Sequence, residues 1–155
     1  MLGASMYEFL AYRVADVMSR ELATVGPETS LAEVETLLDE RDVDAVPVLD
    51  PDGALLGIVT RLDVLRAYHF TPAAMVPRYD EIRRRAARTV MTLQPLAVEP
   101  ELPLTRLLEL LVATRVKSLP VVEARRLVGM VAREDVIGAL RRAARGEPPP
   151  RAGAE

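Results

Sequence analysis

The fold is decided by the stretch Leu56–Val64, LGIVTRLDV, in which a β-branched run ends at Thr60 and passes at once into a helical pattern. The chain repeats this stretch 72 positions later as Val128–Val136, VGMVAREDV. The glycine, the apolar run, the arginine, the aspartate and the valine return in register, but Ala132 stands in the position of Thr60. The sequence therefore predicts two copies of one strand-to-helix unit, of which only the first carries the hydroxyl group.

The two copies also match on the N-terminal side of this stretch. Val17-Met18 matches Val90-Met91, and Pro47-Val48 matches Pro120-Val121, each pair being 73 positions apart. The spacing then falls to 72 because the second turn is one residue shorter, and surface turns tolerate such a change. The strand and helix patterns of each copy follow the order β-α-β-β-α. We therefore predict an α/β fold built from two tandem repeats.

Further segments flank and join the repeats. The apolar spacing of the first residues predicts a lead-in helix, and a charged run before the second repeat predicts another helix. The Pro- and Gly-rich end of the chain is typical of disorder. The predicted organisation is a lead-in helix at 1–15, a first repeat at 16–68, a linker with a charged helix at 69–88, a second repeat at 89–145 and a disordered tail at 146–155.

Composition narrows the range of functions. The absence of cysteine and the single histidine exclude disulfides, thiolate chemistry and metal sites built from several histidines. A net charge of -3 and a pI near 5.3 argue against binding to nucleic acid or anionic membranes through net charge. The basic run Arg83–Arg85 follows acidic residues by one turn and is typical of a solvated helix.

The sequence also disfavours a membrane protein and an enzyme. No apolar run approaches the roughly 20 residues of a membrane span, and the N-terminus is a poor signal peptide. The carboxylates form no recognisable acid–base pair, and no nucleophile stands beside a base. We therefore expect a cytoplasmic protein that is not an enzyme.

Each repeat carries paired motifs at its start, its middle strand and its end. They are Asp16-Val17-Met18 and Thr89-Val90-Met91, Val46-Pro47-Val48 and Leu119-Pro120-Val121, and the two Gly-to-Asp stretches quoted above. Together they resemble a tandem pair of CBS domains, named for cystathionine β-synthase, over roughly Val14 to Leu140. The resemblance implies two β-α-β-β-α units packed about a pseudo-twofold axis, with clefts that take adenosyl ligands such as AMP, ADP, ATP or S-adenosylmethionine. It also implies a homodimer that regulates a protein the sequence does not identify.

By this resemblance, Thr60 and Asp63 form the main ligand site. The aspartate of the motif accepts both ribose hydroxyls, and the threonine contacts ribose or phosphate; an ionised carboxylate can accept two vicinal hydroxyls. Thr-x-x-Asp at a helix start is equally a capping arrangement, worth about 1 kcal/mol, so both roles stay open. The other cleft offers Ala132, which has no hydroxyl, and Asp44, which would repel phosphate, so Asp135 is expected to hold a weaker second site.

Other residues complete the expected cleft. Lys117 and Ser118 stand where family members carry a side chain that reaches a phosphate, and Arg133 follows the position of Thr60 in the second repeat. Ile58 and Leu96 stand where apolar contacts would hold the adenine ring. We expect these residues to contribute to one cleft.

The expected function is that of a regulatory module that senses an adenosine-containing nucleotide and requires no cofactor. The alternative is a constitutive dimerisation scaffold with degenerate clefts. Ala132 favours this alternative because a methyl group cannot hydrogen-bond a ligand. Asp44, the counterpart of Lys117, favours it because a carboxylate repels phosphate.

Overall fold

The computed structural model describes residues 7–69, 78–93 and 95–150. The described elements follow the predicted order except that the first repeat has no strand before its long helix, where Val25 forms only an isolated parallel bridge with Val48. A 3₁₀ turn at Ala87–Thr89 precedes the third strand. The helices are α1 (Tyr7–Leu10), α2 (Val14–Val17), α3 (Leu31–Glu40), α4 (Arg61–Ala67), α5 (Tyr79–Arg84), α6 (Leu104–Thr114) and α7 (Arg133–Ala144). The strands are β1 (Ala45–Leu49), β2 (Leu55–Thr60), β3 (Thr92–Leu93), β4 (Ser118–Glu123) and β5 (Arg126–Ala132).

Each repeat joins an amphipathic helix to a β-hairpin. In the first repeat, α3 begins after Ser30, whose Oγ accepts a hydrogen bond from the Glu33 amide at 3.3 Å. The turn between β1 and β2 places Gly53 at φ 87°, a left-handed conformation that glycine adopts without steric cost. The shorter turn between β4 and β5 has Ala124 and Arg125 at positive φ, as a two-residue hairpin turn requires. The hairpins are therefore formed by local turn chemistry.

The described residues form two compact units. Of these residues, 23–69, 78–93, 95 and 125–127 belong to the β1–β2 unit, and 7–22, 96–124 and 128–150 belong to the β4–β5 unit. In the β1–β2 unit, β3 pairs antiparallel with β2, so a strand from the start of the second repeat joins the hairpin of the first. In the β4–β5 unit, Ser19 from the start of the first repeat bridges Met130 of β5. Each unit thus combines the hairpin of one repeat with the opening segment of the other.

Glycine is required where these opening segments lie against the hairpins. A Cβ atom on Gly57 would lie 2.7 Å from Sδ of Met91, and one on Gly129 would lie 2.7 Å from Sδ of Met18. Carbon atoms in contact prefer separations of roughly 3.5–4.0 Å. The repeated glycine and the repeated Val-Met pair of the sequence are therefore the two partners of one contact, formed once in each unit.

Each unit has its own apolar core, filled mostly by branched aliphatic side chains because aromatic residues are few. The apolar core of the β1–β2 unit is formed by Val25, Leu31, Val34, Leu38, Val46, Val48, Val59 and Ala87. Those of the β4–β5 unit include Tyr12, Val14, Leu104, Leu107, Leu119, Val121, Val131, Val136, Ala139 and Ala143. None of the helices within the described ranges is long and apolar enough to cross a membrane.

Of the lead-in helix expected over residues 1–15, residues 1–6 lie outside the described ranges, and the part from Tyr7 onward differs from a single helix. It forms the two short helices α1 and α2, because the Arg13 amide binds Asp16 Oδ2 at 2.8 Å and thereby starts a new helix. In the linker, the charged helix is α5, while residues 70–77 lie outside the described ranges. The expectation of a disordered tail falls partly on residues 151–155, which also lie outside them, and the Glu147 carbonyl accepts a hydrogen bond from the Tyr12 hydroxyl at 3.0 Å.

Candidate functional site

The Thr60 hydroxyl and the Asp63 carboxylate bind each other at the point where β2 passes into α4. Thr60 Oγ1 accepts a hydrogen bond from the Asp63 amide at 3.1 Å and donates one to Asp63 Oδ2 at 3.0 Å. Asp63 Oδ2 also accepts from the Thr60 amide at 2.9 Å. The two residues therefore form a complete capping box, and the structural role left open by the sequence is present.

A residue that the sequence reading missed completes this arrangement. The Thr92 hydroxyl of β3 lies 3.1 Å from Oδ1 and 3.2 Å from Oδ2 of Asp63. Thr92 reaches the carboxylate because it stands opposite Ile58 in the pairing of β3 with β2. Asp63 is only 5% exposed, and Arg66 Nη1 lies 3.7 Å from its Oδ1. The sequence did carry a signal, since a hydroxyl residue, Ser19 or Thr92, follows the Val-Met pair of each repeat.

The equivalent carboxylate of the β4–β5 unit has fewer partners. Asp135 Oδ2 accepts a hydrogen bond from the Ala132 amide at 2.8 Å, which is its only hydrogen bond from the described residues. Ala132 has no hydroxyl group, and the Ser19 hydroxyl donates instead to the Glu21 carbonyl at 3.3 Å. Burial raises the pKa of Asp135 above its ordinary 3.8, and the single amide only partly offsets this effect. The two motif carboxylates therefore differ in how firmly they are held.

The arginine that follows each helix start binds backbone carbonyls near the end of the preceding helix. The guanidinium group of Arg61 joins α4 to α3, and that of Arg133 joins α7 to α6, which is a structural role. The bonds run from Arg61 Nε and Nη2 to the carbonyls of Val43 (3.1 Å) and Leu38 (3.0 Å), and from Arg133 Nε and Nη2 to those of Val116 (3.0 Å) and Arg115. The ligand contact expected of Arg133 stays a prediction, and two of its donors are already in use.

The side chains around these arginines have opposite charge in the two units. In the β1–β2 unit, Arg61 lies 3.8 Å from Asp42 and 3.7 Å from Asp44. The backbone follows the same course in the β4–β5 unit. The Arg61 amide binds the Asp44 carbonyl at 3.1 Å, and the Arg133 amide binds the Lys117 carbonyl at the same distance. The counterpart residues there are Arg115, Lys117 and Arg133, all basic and exposed. At this place the β1–β2 unit thus carries a net negative charge and the β4–β5 unit a net positive charge.

The remaining predicted site residues divide between the units. Ile58 lies in the β1–β2 unit, opposite Thr92, and is 7% exposed. Ser118 begins β4, and Leu96, in the segment before α6, is 42% exposed. Both belong to the β4–β5 unit, together with Lys117 and Asp135. The structure thus brings Thr60, Asp63 and Ile58 into one unit and the other candidates into the second.

Each unit has an open groove at an equivalent place, beside the segment that precedes its long helix. The groove of the β1–β2 unit has a volume of about 770 Å³ and is bordered by Thr24, Thr29 and Asp50 among others. That of the β4–β5 unit has about 430 Å³ and is bordered by Ala97 and Leu110 among others. Across the described part of the chain, no three His, Cys, Asp or Glu side chains are grouped so as to hold a metal ion.

Comparison with known families assigns the fold that carries this site. A sequence profile of the CBS domain matches residues 14–70 and again residues 87–142. The chain belongs to the CBS-domain family. A CBS domain-containing protein of Dictyostelium discoideum is 31% identical over 139 residues, which are 88% of this chain and 96% of that protein.

Solved CBS structures confirm the α/β fold with two tandem CBS units. CBSX2 of Arabidopsis thaliana in complex with AMP is 30% identical, with a TM-score of 0.72 over 84% of this chain and 97% of that chain. Longer proteins contain a similar CBS pair as a part. Inosine-5'-monophosphate dehydrogenase of Methanocaldococcus jannaschii is 25% identical over 134 residues, which are 85% of this chain and 24% of that enzyme.

Proposed function

We propose that this CBS pair is a regulatory module that senses an adenosine-containing ligand. The observation that carries the proposal is the Asp63 carboxylate, oriented by the amide and the hydroxyl of Thr60 at the start of a helix. The likeness to CBSX2, whose crystal structure contains AMP, supports the class of ligand. The module would act without a cofactor and without chemistry of its own.

Asp63 is proposed to accept the ribose hydroxyls, because an ionised carboxylate is an acceptor for two adjacent hydroxyl groups. Thr60 would keep the carboxylate in position and contact the ribose or phosphate. Ile58 and Leu96 are proposed to contact the adenine ring. Asp135 is proposed to hold a weaker second site, because it lacks the second threonine bond and carries a raised pKa.

Lys117, Ser118 and Arg133 are proposed to bind the phosphate of the ligand. Support comes from the change of charge between the units, since Lys117 and Arg115 replace the two aspartates beside Arg61. A lysine ammonium acts on phosphate as a point charge, and it would favour phosphorylated ligands over S-adenosylmethionine, whose sulfonium is a cation. The expected order of affinity is therefore ADP or AMP before S-adenosylmethionine.

The proposed response is a shift between arrangements of a homodimer that changes the surface offered to a regulated protein, in the cytoplasm. A ligand shifts such an equilibrium only by the difference between its affinities for the two arrangements. Exposed apolar side chains on α4 support association, since Leu62 is 54% and Leu65 is 67% exposed.

A thermal-shift screen against AMP, ADP, ATP, S-adenosylmethionine and NAD tests the proposal. A ligand that binds only the native state raises the unfolding midpoint. At a hundredfold excess over Kd it increases the free energy of unfolding by about 2.7 kcal/mol. A rise with at least one adenosine ligand and none with GMP is expected. No rise with any of the five at millimolar concentration would contradict the proposal.

The second candidate is a constitutive dimerisation scaffold. It is favoured by one observation, namely that Asp63 is buried and already bonded to Thr60 and Thr92. Light scattering on the ligand-free protein separates the two candidates when it is combined with the screen. A scaffold has a mass near twice 17.0 kDa that no ligand changes, whereas the sensor binds at least one adenosine ligand.

A further inference from the structure

We propose that a second copy of this chain docks head to tail, so that the α3–α4 surface of one copy lies against the α6–α7 surface of the other. The α3–α4 surface is the exposed side of these two helices and of the segment after α3, in the β1–β2 unit. The α6–α7 surface is its counterpart in the β4–β5 unit. The inference rests on the homodimer of the proposed function. It adds which surface meets which, and it needs no bound ligand.

The two surfaces are built on the same backbone. Arg61 at the start of α4 binds carbonyls near the end of α3, and Arg133 at the start of α7 binds carbonyls near the end of α6. Asp42 and Arg115 stand at equivalent positions after α3 and α6, and both have a left-handed backbone, with φ of 48° and 60°. The surfaces therefore differ in their side chains while they share one backbone geometry.

Each surface exposes large apolar side chains. Leu62 and Leu65 of α4 are exposed, as are Val112 of α6, at 72%, and Ile137 of α7, at 54%. Leu65 and Ile137 occupy equivalent positions, one helical turn after the arginines that join the helices. Burial of these side chains against a partner removes apolar area from water, which favours association. A partner therefore gains from covering the helix pair of either unit.

The two surfaces carry opposite charge. Residues 31–44, which form α3 and the segment after it, contain six acidic side chains and one arginine, a net charge of -5. The equivalent residues 104–117 contain three basic side chains and one glutamate, a net charge of +2. At the exposed end of the helix, Asp42 of the first surface is replaced by Arg115 of the second. Each surface is thus complementary in charge to the other and not to itself.

Charge decides between the two orientations of a twofold dimer. In a head-to-head dimer each surface faces its own copy, so the acidic residues 31–44 lie opposite a second acidic set. In a head-to-tail dimer they lie opposite the basic residues 104–117, and the same contact forms twice. Like charges across an interface cost binding energy, whereas opposite charges speed the encounter and fix its register. Since both orientations bury apolar side chains, the charge favours the head-to-tail dimer.

Thiol cross-linking of the ligand-free protein tests this orientation. The chain has no cysteine, so a single introduced thiol reports on one position. Leu65→Cys and Ile137→Cys are co-expressed, one of them with a tag that changes its mass, and are treated with a short bismaleimide. A cross-linked product with one chain of each kind is expected, and either variant alone should give little. Asp52→Cys is the control, since it lies in the β1–β2 turn, at the opposite end of that hairpin from α4, and should cross-link with neither variant.

The other outcomes contradict the inference in distinguishable ways. Cross-linking of each variant with itself, without the mixed product, would show a head-to-head dimer. A dimer that cross-links in none of these samples would use another surface. In both cases the homodimer of the proposed function stands and the inference is wrong. A mass of 17.0 kDa in light scattering would overturn the inference and the homodimer together, and the ligand screen would be unaffected.

An exchange of charges tests the physical reason for the orientation. Asp42→Arg and Arg115→Asp each replace an attraction by a repulsion in the head-to-tail dimer. Each is expected to raise the dimer Kd in sedimentation about tenfold, since the contact forms twice. The double variant exchanges the two side chains between positions of like backbone, and its Kd should return to within about threefold of wild type. A double variant as weak as the single ones would contradict the role of charge.

Discussion

The carbonyl oxygen of Thr92 lies 2.7 Å from the position that a Cβ atom on Gly57 would take. Glycine is therefore needed at position 57 for contact rather than for conformation, since the opening segment of the second repeat, which pairs with β2, lies directly against it. The same need arises at Gly129, where the Ser19 carbonyl would lie 3.0 Å from a Cβ atom. The glycine is repeated in the sequence because this close contact with an opening segment is formed in both units.

Gly57→Ala is expected to destabilise the protein by about 1–3 kcal/mol, the usual cost of overpacking a tight contact. Gly129→Ala should cost less, because its nearest backbone atom is farther away. Urea unfolding measures both. Gly138→Ala is the control, since no atom lies within 4 Å of its Cβ position in α7, and it should stabilise the protein by about 0.5–1 kcal/mol. Equal effects of all three substitutions would contradict the claim that close contact requires glycine at positions 57 and 129.

The raised pKa of Asp135 predicts a dependence of stability on pH. The folded state holds the Asp135 proton more tightly than the unfolded state, whose pKa is near 3.8. The resulting stabilisation is present below pH 3.8 and is lost as the pH rises through the folded-state pKa. Asp135→Asn removes this loss and keeps an acceptor for the Ala132 amide. The free energy of unfolding of the variant, relative to wild type, should therefore increase from pH 3.5 to pH 7; a constant or decreasing difference would show that burial does not dominate.

Tyr68 predicts a second transition at alkaline pH. Burial of its hydroxyl, followed by the effect of the Glu35 carboxylate, raises the pKa of Tyr68 from 10.0 to about 12. The folded state thus keeps a proton that the unfolded state releases, and this stabilisation is lost as the pH rises through about 12. Absorbance titration of tyrosinate should show a late-titrating group that belongs to Tyr68. Tyr68→Phe should remove that late group, and a titration curve that keeps it would assign the shift to another tyrosine.

Much of the fold could be predicted from the repeats, because turn residues, apolar spacing and the helix start at Ser30 act locally. The exchange of opening segments could not, since Met91 and Thr92 reach Gly57 and Asp63 through the tertiary path of the chain. The Thr60–Asp63 pair was predictable because both residues lie within one turn of helix. The carbonyl contacts of Arg133 were not, because a surface arginine has no spacing that indicates a backbone partner.

The central claim is that the Asp63 carboxylate accepts the hydroxyls of an adenosine ligand. Calorimetry of wild type with AMP and with 2′,3′-dideoxy-AMP tests it without changing the protein. Hydrogen bonds to a charged group contribute roughly 1.5–3 kcal/mol, so removal of the diol should weaken binding about tenfold or more. Asp63→Asn should lose a similar amount for AMP and little for the dideoxy analogue, while Asp135→Asn should leave the tighter site nearly unchanged. Equal affinity of wild type for the two nucleotides, or no binding of AMP, would contradict the account.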